Sequence, residues 1–202
     1  MSDSSVTVVL ATHNAHKVEE LRRILGDRIA GIELVGYSGP EPVEDGETFE
    51  ANALIKARAA ALHTGLPAIA DDSGISVDAL NGAPGIHSAR YAGTRDSGDN
   101  VRLLLTGLEG VPTAERTAQF ACAAAAVIPQ PTGEAIEHVE FALWPGSVLE
   151  SPAGEGGFGY DPVFQPEGET RSAAELSAAE KDAVSHRTRA FTALLPWLLE
   201  KI

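Results

Sequence analysis

The chain has 202 residues, 44% hydrophobic and 22% charged, the balance of a globular protein long enough to bury a substantial core. With 29 acidic against 15 basic residues its net charge is −14, which excludes nonspecific adhesion to nucleic acid or to an anionic membrane. The longest near-apolar run, Phe120 to Pro129, is far shorter than the ~20 residues of a membrane span, and no cleavable apolar leader is recognised, so a cytoplasmic protein is expected.

Val6 to Ala11 is predicted as a buried strand, and Val18, Leu21, Ile24 and Leu25 recur at helical spacing up to Gly26, a helix stop. The turn between them lacks the glycines of a phosphate loop and carries Thr12, Asn14 and Lys17 instead. IELVG (32–36) reads as a second short strand, followed by SGPEPVEDG, a loop of Gly, Pro and acid. Thr48 to His63 favours helix and is ended by Gly65 and Pro67. LPAIA is then a buried strand running into Asp71, Asp72, Ser73 and Gly74, and the carboxyl ends of strands in open α/β sheets are where ligands bind.

TAQFACAAAAVI and AIEHVEFALW form two further strands, and the short PQPTG connection predicts that they pair antiparallel. The fold class is therefore α/β with a mixed, partly antiparallel sheet and flanking helices. The lone Cys122 reads as a buried inert thiol. Leu176 to Ile202 is a terminal helical region that opens on Ser177 and Glu180 in capping-box spacing and is broken or kinked at Pro196. No internal repeat interrupts the chain, and residues 1–202 are expected to form one domain.

An acidic protein binds a polyanion only through a divalent cation and a few locally gathered basic side chains. Asp71 and Asp72, adjacent on a strand, point to opposite faces, so one of them faces a site. The group is either a surface turn or, with Glu44, Asp45 and Glu47 nearby in sequence, a source of oxygen ligands for Mg²⁺ or Mn²⁺. Mg²⁺ needs only one or two carboxylates beside waters and phosphates, and Glu44 with Asp72 would suffice. The six histidines show no zinc-type pairing on a helix face. Arg90 and Arg95 are either solvated charges or a loop over a polyanion. In PAGEGGFGYDPVF (152–164), the glycines permit close backbone approach. Phe158 and Tyr160 either fill a core or offer a nucleobase a stacking face, worth roughly 1–3 kcal/mol per base. Lys181, Ser185, His186 and Arg187 crowd donors into two helical turns.

Five segments in order, ATHNAHKVEEL, EDGETFEANALIKA, AIADDSGISVDALNGAPGIHSARYAG, GGFGYDPVF and AAELSAAEKDAVSHR, span nearly the whole chain. They resemble the inosine/xanthosine triphosphate pyrophosphatase family, enzymes that remove deaminated purine nucleotides. The resemblance implies two lobes around a central cleft, usually in a homodimer. It also implies Mg²⁺-dependent cleavage of ITP, dITP or XTP to the monophosphate and pyrophosphate, with Mn²⁺ able to stand in. Position by position it implies that Thr12, His13, Asn14, Ala15, His16 and Lys17 grip the triphosphate. It makes Glu44 and Asp72 the metal ligands, and Asp72 and Lys17 the catalytic groups, with Asp72 accepting the proton of water. Ser73 would touch substrate, and Phe158, Gly159, Tyr160 and Asp161 would form the base-side segment with Phe158 stacking. Lys181, His186 and Arg187 would be polar partners of the purine. One departure is plain: His13 stands where the family commonly has the glycine of a Thr-Gly-Asn turn. Two alternatives are a pyrophosphatase of related fold acting on other modified nucleotides and a noncatalytic nucleotide-binding module. Intact Lys17, Glu44 and Asp72 argue against the second.

Overall fold

The computed structural model describes residues 5–29 and 31–202. Strands β1 (Val6–Leu10), β2 (Ile32–Gly36), β3 (Ala68–Val77), β4 (Thr117–Ile128), β5 (Ile136–Val148) and β6 (Phe164–Pro166) form one sheet in the order β2-β1-β3-β4-β5-β6. Strand β1 runs parallel to β2, pairing Val6 with Ile32 and Leu10 with Gly36, and parallel to β3, pairing Leu10 with Ile69. Strands β5 and β6 run antiparallel, so the sheet is mixed as its sequence predicts. The α-helices are α1 (Ala15–Leu25), α2 (Phe49–Thr64), α3 (Ser97–Gly107), α4 (Ala178–Val184) and α5 (His186–Lys201). Two compact units result: one of Met1–Asp72, Cys122–Ala142 and Arg187–Ile202, the other of Ser73–Ala121 and Leu143–His186.

In the first unit the period of two along each strand sorts side chains into layers. Val8, Leu10, Ile69, Cys122, Ala124, Ala126 and Ile128 share a buried cluster with Leu21 and Leu25 of α1 and Phe191, Leu194 and Leu198 of α5. The intervening residues Val9, Ala68, Ala70, Ala123, Ala125 and Val127 turn the other way, onto Ala53, Ala57, Ala60 and Ala61 of α2. Small side chains on both sides of that second contact let α2 lie close to the sheet. The second unit packs Ile75, Val77, Phe120, Trp144, Tyr160 and Phe164 together with Val101, Leu104 and Leu108 of α3 and its flank.

Two expectations are corrected. Strand β3 does not end at the acidic pair but continues through Asp71-Asp72-Ser73-Gly74 to Val77, because apolar alternation resumes at Ile75 and Val77 and both carboxylates find partners. The terminal helical region breaks at Ser185, whose backbone is extended at φ −65° and ψ 159°, and not at Pro196, which lies inside α5. Pro196 and Thr192 are both exposed, so the missing backbone hydrogen bond falls on the solvent side of the helix. The stripe of Phe191, Leu194 and Leu198 keeps the helix on the sheet.

The capping box forms as its spacing predicts: the Ser177 amide donates to Glu180 Oε2 at 2.8 Å, and the Glu180 amide to Ser177 Oγ at 3.2 Å. These bonds, the Ser177 amide first, hold the Glu180 carboxyl down at about 2. A depressed carboxyl stabilises the fold above its ordinary value of 4.5 and ceases to do so as pH falls toward 2. Ser177→Ala is expected to lower stability by about 1 kcal/mol in urea unfolding at pH 7. The gap between the two proteins is expected to narrow as the titration is repeated from pH 4.5 downward.

Candidate active site

The turn between β1 and α1 is organised by its own side chains. Asn14 caps α1, its Oδ1 accepting from the amides of His16 at 3.0 Å and Lys17 at 3.4 Å, while Thr12 Oγ1 accepts from the Asn14 amide at 3.2 Å. His13, Asn14, Ala15 and His16 are exposed, and Thr12 and Lys17 are half-buried. Among the described residues Asn81 is the sole non-glycine residue with positive φ, so His13 occupies ordinary backbone and the turn has no need of glycine there. The His13 side chain has its own anchorage. Its Nε2 donates to the Gly39 carbonyl at 3.0 Å, and its ring lies 5.5 Å from that of Tyr37.

Alternation along β3 assigns the two adjacent carboxylates to different helices. Asp71 follows Ile69 onto the face covered by α1 and α5; its Oδ2 accepts from Lys17 Nζ at 2.9 Å and from Arg187 Nε at 3.2 Å. Arg187 Nη1 also bonds Glu20, one helical turn after Lys17 on α1. The side chains of Asp71, Glu20 and Arg187 are all at most 3% exposed, so these charges neutralise one another out of water. Burial works against the Arg187 charge, yet Asp71 and Glu20 hold the guanidinium above its ordinary value.

Asp72 follows Ala70 onto the α2 face. Its Oδ1 accepts from Lys56 Nζ at 2.8 Å and its Oδ2 from Asn52 Nδ2 at 3.4 Å. The same Lys56 Nζ lies 3.2 Å from Glu44 Oε2, so Glu44 and Asp72 converge on one cationic atom. Asn52 Oδ1 accepts from the Gly46 amide at 2.9 Å, which fastens the loop bearing Glu44 to the helix. A Cβ on Gly46 would stand 2.7 Å from that oxygen, so any side chain there would push the loop away. Burial alone would lower the Lys56 ammonium, but Asp72, Asp71 and Glu44 together raise it. Burial lifts the Asp72 carboxyl above the ordinary range, against the pull of Lys56 and Lys17.

Asn52 and Lys56, like Glu20, are absent from the residues expected from sequence, whereas Asp71 is there only as one of the acidic pair, with no role of its own. A signal exists: Asn52 and Lys56 are four apart, on one face of a helix whose neighbouring buried positions, Ala53, Ala57, Ala60 and Ala61, are all alanine. Two carboxylates sharing one cation are a donor set of hard oxygens into which a divalent ion of the Mg²⁺ type fits. Among the described residues no group of three His, Cys, Asp or Glu side chains gathers.

The remaining expected residues lie in the second unit. Ser73 is half-buried on β3. In the glycine-rich segment the two aromatics divide: Tyr160 enters the core and donates its hydroxyl to the Ser88 carbonyl at 2.8 Å, whereas Phe158 stays half-buried outside that core. Burial raises the Tyr160 phenol well above its ordinary value. Asp161 Oδ2 accepts from the Phe158 amide at 2.8 Å and from Lys181 Nζ at 2.6 Å, and that ammonium stands 5.0 Å from the centre of the Phe158 ring. Gly157, at φ +68°, and Gly159, at φ +62°, make the tight loop, and a Cβ on Gly157 would overlap the Asp161 carboxylate. The ring of buried His186 lies parallel to Phe120 at 4.7 Å and to Trp144 at 6.1 Å. Arg90 and Arg95 are exposed. The guanidinium of Arg187, expected with His186 as a partner of a purine, is engaged by Glu20 and Asp71.

A model of the Ham1 family matches residues 8–197. The chain is 54% identical over 194 residues to a protein of Leifsonia xyli subsp. xyli named dITP/XTP pyrophosphatase, covering 96% of each. Its fold is similar to the structure of a HAM1 protein from Coxiella burnetii, at a TM-score of 0.84 and 39% identity over 96% of this chain and 99% of that one. It is also similar to the structure of a nucleoside-triphosphatase, dITP/XTP pyrophosphatase, from Mycobacterium abscessus, at a TM-score of 0.74 and 47% identity over 96% and 100% of the two chains.

The charge network around Arg187 makes a prediction independent of any ligand. Removing one partner of a buried ion pair leaves an uncompensated charge, so Arg187→Met is expected to destabilise the protein by about 3–5 kcal/mol in urea unfolding at pH 7. Wild-type stability in that variant would show that the guanidinium is not buried against Glu20 and Asp71.

Proposed function

This chain belongs to the Ham1 family, and on that premise we propose that it hydrolyses ITP, dITP and XTP to the monophosphate and pyrophosphate, with Mg²⁺ held by Glu44 and Asp72. The observation that carries this reading is the convergence of Glu44 and Asp72 on one cationic atom, in the same unit as the turn that holds Thr12, Asn14 and Lys17.

A divalent ion bound by these carboxylates supplies charge neutralisation to phosphate oxygens. The chain's own residues do the rest. Lys17 brings a point charge at the start of α1, where the helix dipole favours an anion, and its pairing with Asp71 restricts where the ammonium reaches. Thr12 and Asn14 hold that turn in shape. The Asp72 carboxylate, held by Asn52, accepts the proton of the attacking water. Base recognition is assigned to Phe158 as the stacking face and to Lys181 and His186 as polar partners. Hypoxanthine and xanthine present an acceptor oxygen at C6 where adenine presents a donor amine, and a site built of matching donors rejects the mismatch by about 10⁴–10⁵. We place the enzyme in the cytoplasm as a homodimer. Among the described residues no helix is long and apolar enough to cross a membrane, and association of two copies would cover side chains such as Leu62, 88% exposed, and Phe141, 44% exposed.

Purified protein with Mg²⁺ is expected to release pyrophosphate from ITP, dITP and XTP far faster than from ATP or GTP; equal turnover of GTP, or orthophosphate as the product, would overturn the reading. Asp72→Asn is expected to lose a factor of about 10²–10⁴ in turnover with its circular dichroism unchanged. Light scattering is expected to give twice the chain mass of 21.1 kDa.

A further inference from the structure

Lys56 has a place in the site that orientation of Asp72 does not exhaust. Its ammonium is 2.8 Å from Asp72 and 3.2 Å from Glu44, the two carboxylates to which the metal is assigned above, and it takes the position that a cation shared by them would take. We infer that Lys56 is the resident counter-cation of this pair, and that a divalent ion must displace it, so the lysine sets how weakly the nucleotide-free protein holds metal. The inference rests on Glu44 and Asp72 being the metal's ligands.

Two cations cannot share one pair of carboxylates at contact distance without strong mutual repulsion, because the site is nearly out of water: the side chains of Lys56, Glu44 and Asp72 are 13%, 20% and 11% exposed. The exchange is possible because the ammonium ends a flexible four-carbon stem rooted on α2, so Nζ can withdraw while the helix stays in place. What remains behind is ordered. The bonds of Asn52 to Asp72 and to the Gly46 amide do not involve the ammonium, so the Asp72 carboxylate and the loop bearing Glu44 keep these ties when it leaves. Asn52 is thus the fixed support and Lys56 the movable charge, one helical turn apart on α2.

The test measures metal binding without nucleotide, by titrating Mn²⁺ into metal-free protein and following free Mn²⁺ by electron paramagnetic resonance. Lys56→Met is expected to bind Mn²⁺ more tightly than wild type by roughly tenfold or more, whereas Lys56→Arg, which keeps the charge, stays near wild type. The gain is expected to vanish when Glu44→Gln is added to Lys56→Met. Equal or weaker binding by folded Lys56→Met overturns the inference and leaves the proposed activity standing. Absence of Mn²⁺ binding in both wild type and Lys56→Met overturns the metal assignment itself, and the inference with it. If Lys56→Met folds poorly once its carboxylates lose their cation, added Mn²⁺ is expected to restore its circular dichroism, and failure to do so at saturating Mn²⁺ counts against the inference.

Discussion

Strand β3 carries two adjacent carboxylates, Asp71 and Asp72, that are 1% and 7% exposed, and the arrangement of the first unit follows from the need to neutralise both. Leaving either charge unpaired in that interior would cost several kcal/mol, a large part of the roughly 5–15 kcal/mol by which a domain is stable. Because side chains alternate across a strand, the two cannot share one counter-ion on one face. Asp71 takes Lys17 from α1 and Arg187 from α5, and Asp72 takes Lys56 and Asn52 from α2. The charge pattern thus assigns all three helices to their sides of the sheet, in agreement with the apolar layers beneath them.

Polar reach depends on apolar detail here. Lys56 and Asn52 meet Asp72 because α2 comes close to the sheet, and it comes close because alanines face alanines across the contact. A larger side chain at Ala57 or Ala123 would act on the site through that spacing. On the opposite face, Lys17 and Glu20 lie one turn apart on α1, so one end of the helix presents a cation to Asp71 while the next turn presents an anion to Arg187. The break at Ser185 has a matching purpose. It ends the helix that carries Lys181 in the second unit and starts the one that carries Arg187 in the first.

The second unit uses one carboxylate in a comparable way. Asp161 closes the glycine-rich loop by accepting from the Phe158 amide and holds Lys181 near the Phe158 ring. Gly157 is required because Asp161 fills the space its side chain would need. Phe158 and Tyr160, both offered by the sequence as flat faces, thereby receive different roles: one is core with a satisfied hydroxyl, the other a ring set beside an ammonium.

Periodicity and punctuation in the sequence were enough to place β1, β2, β4 and β5 and the first two helices, to make the sheet mixed, and to bury Cys122, because these depend on neighbours a few residues apart. The capping box was legible for the same reason. The opposite faces of Asp71 and Asp72 were legible too, since alternation is a property of any strand. The identity of their partners was not. Asn52, Lys56 and Arg187 reach the acids across 16 to 116 residues, and their helical spacing marks them as polar neighbours without naming the acid each one meets. The continuation of β3 past the acids and of α5 past Pro196 was hidden likewise, because each runs against local preference and is sustained by buried contacts elsewhere. Sequence determined which residues could carry charge, cap a helix or turn a chain; tertiary structure decided which charges meet, because a buried ion is stable only beside a counter-ion that packing brings to it.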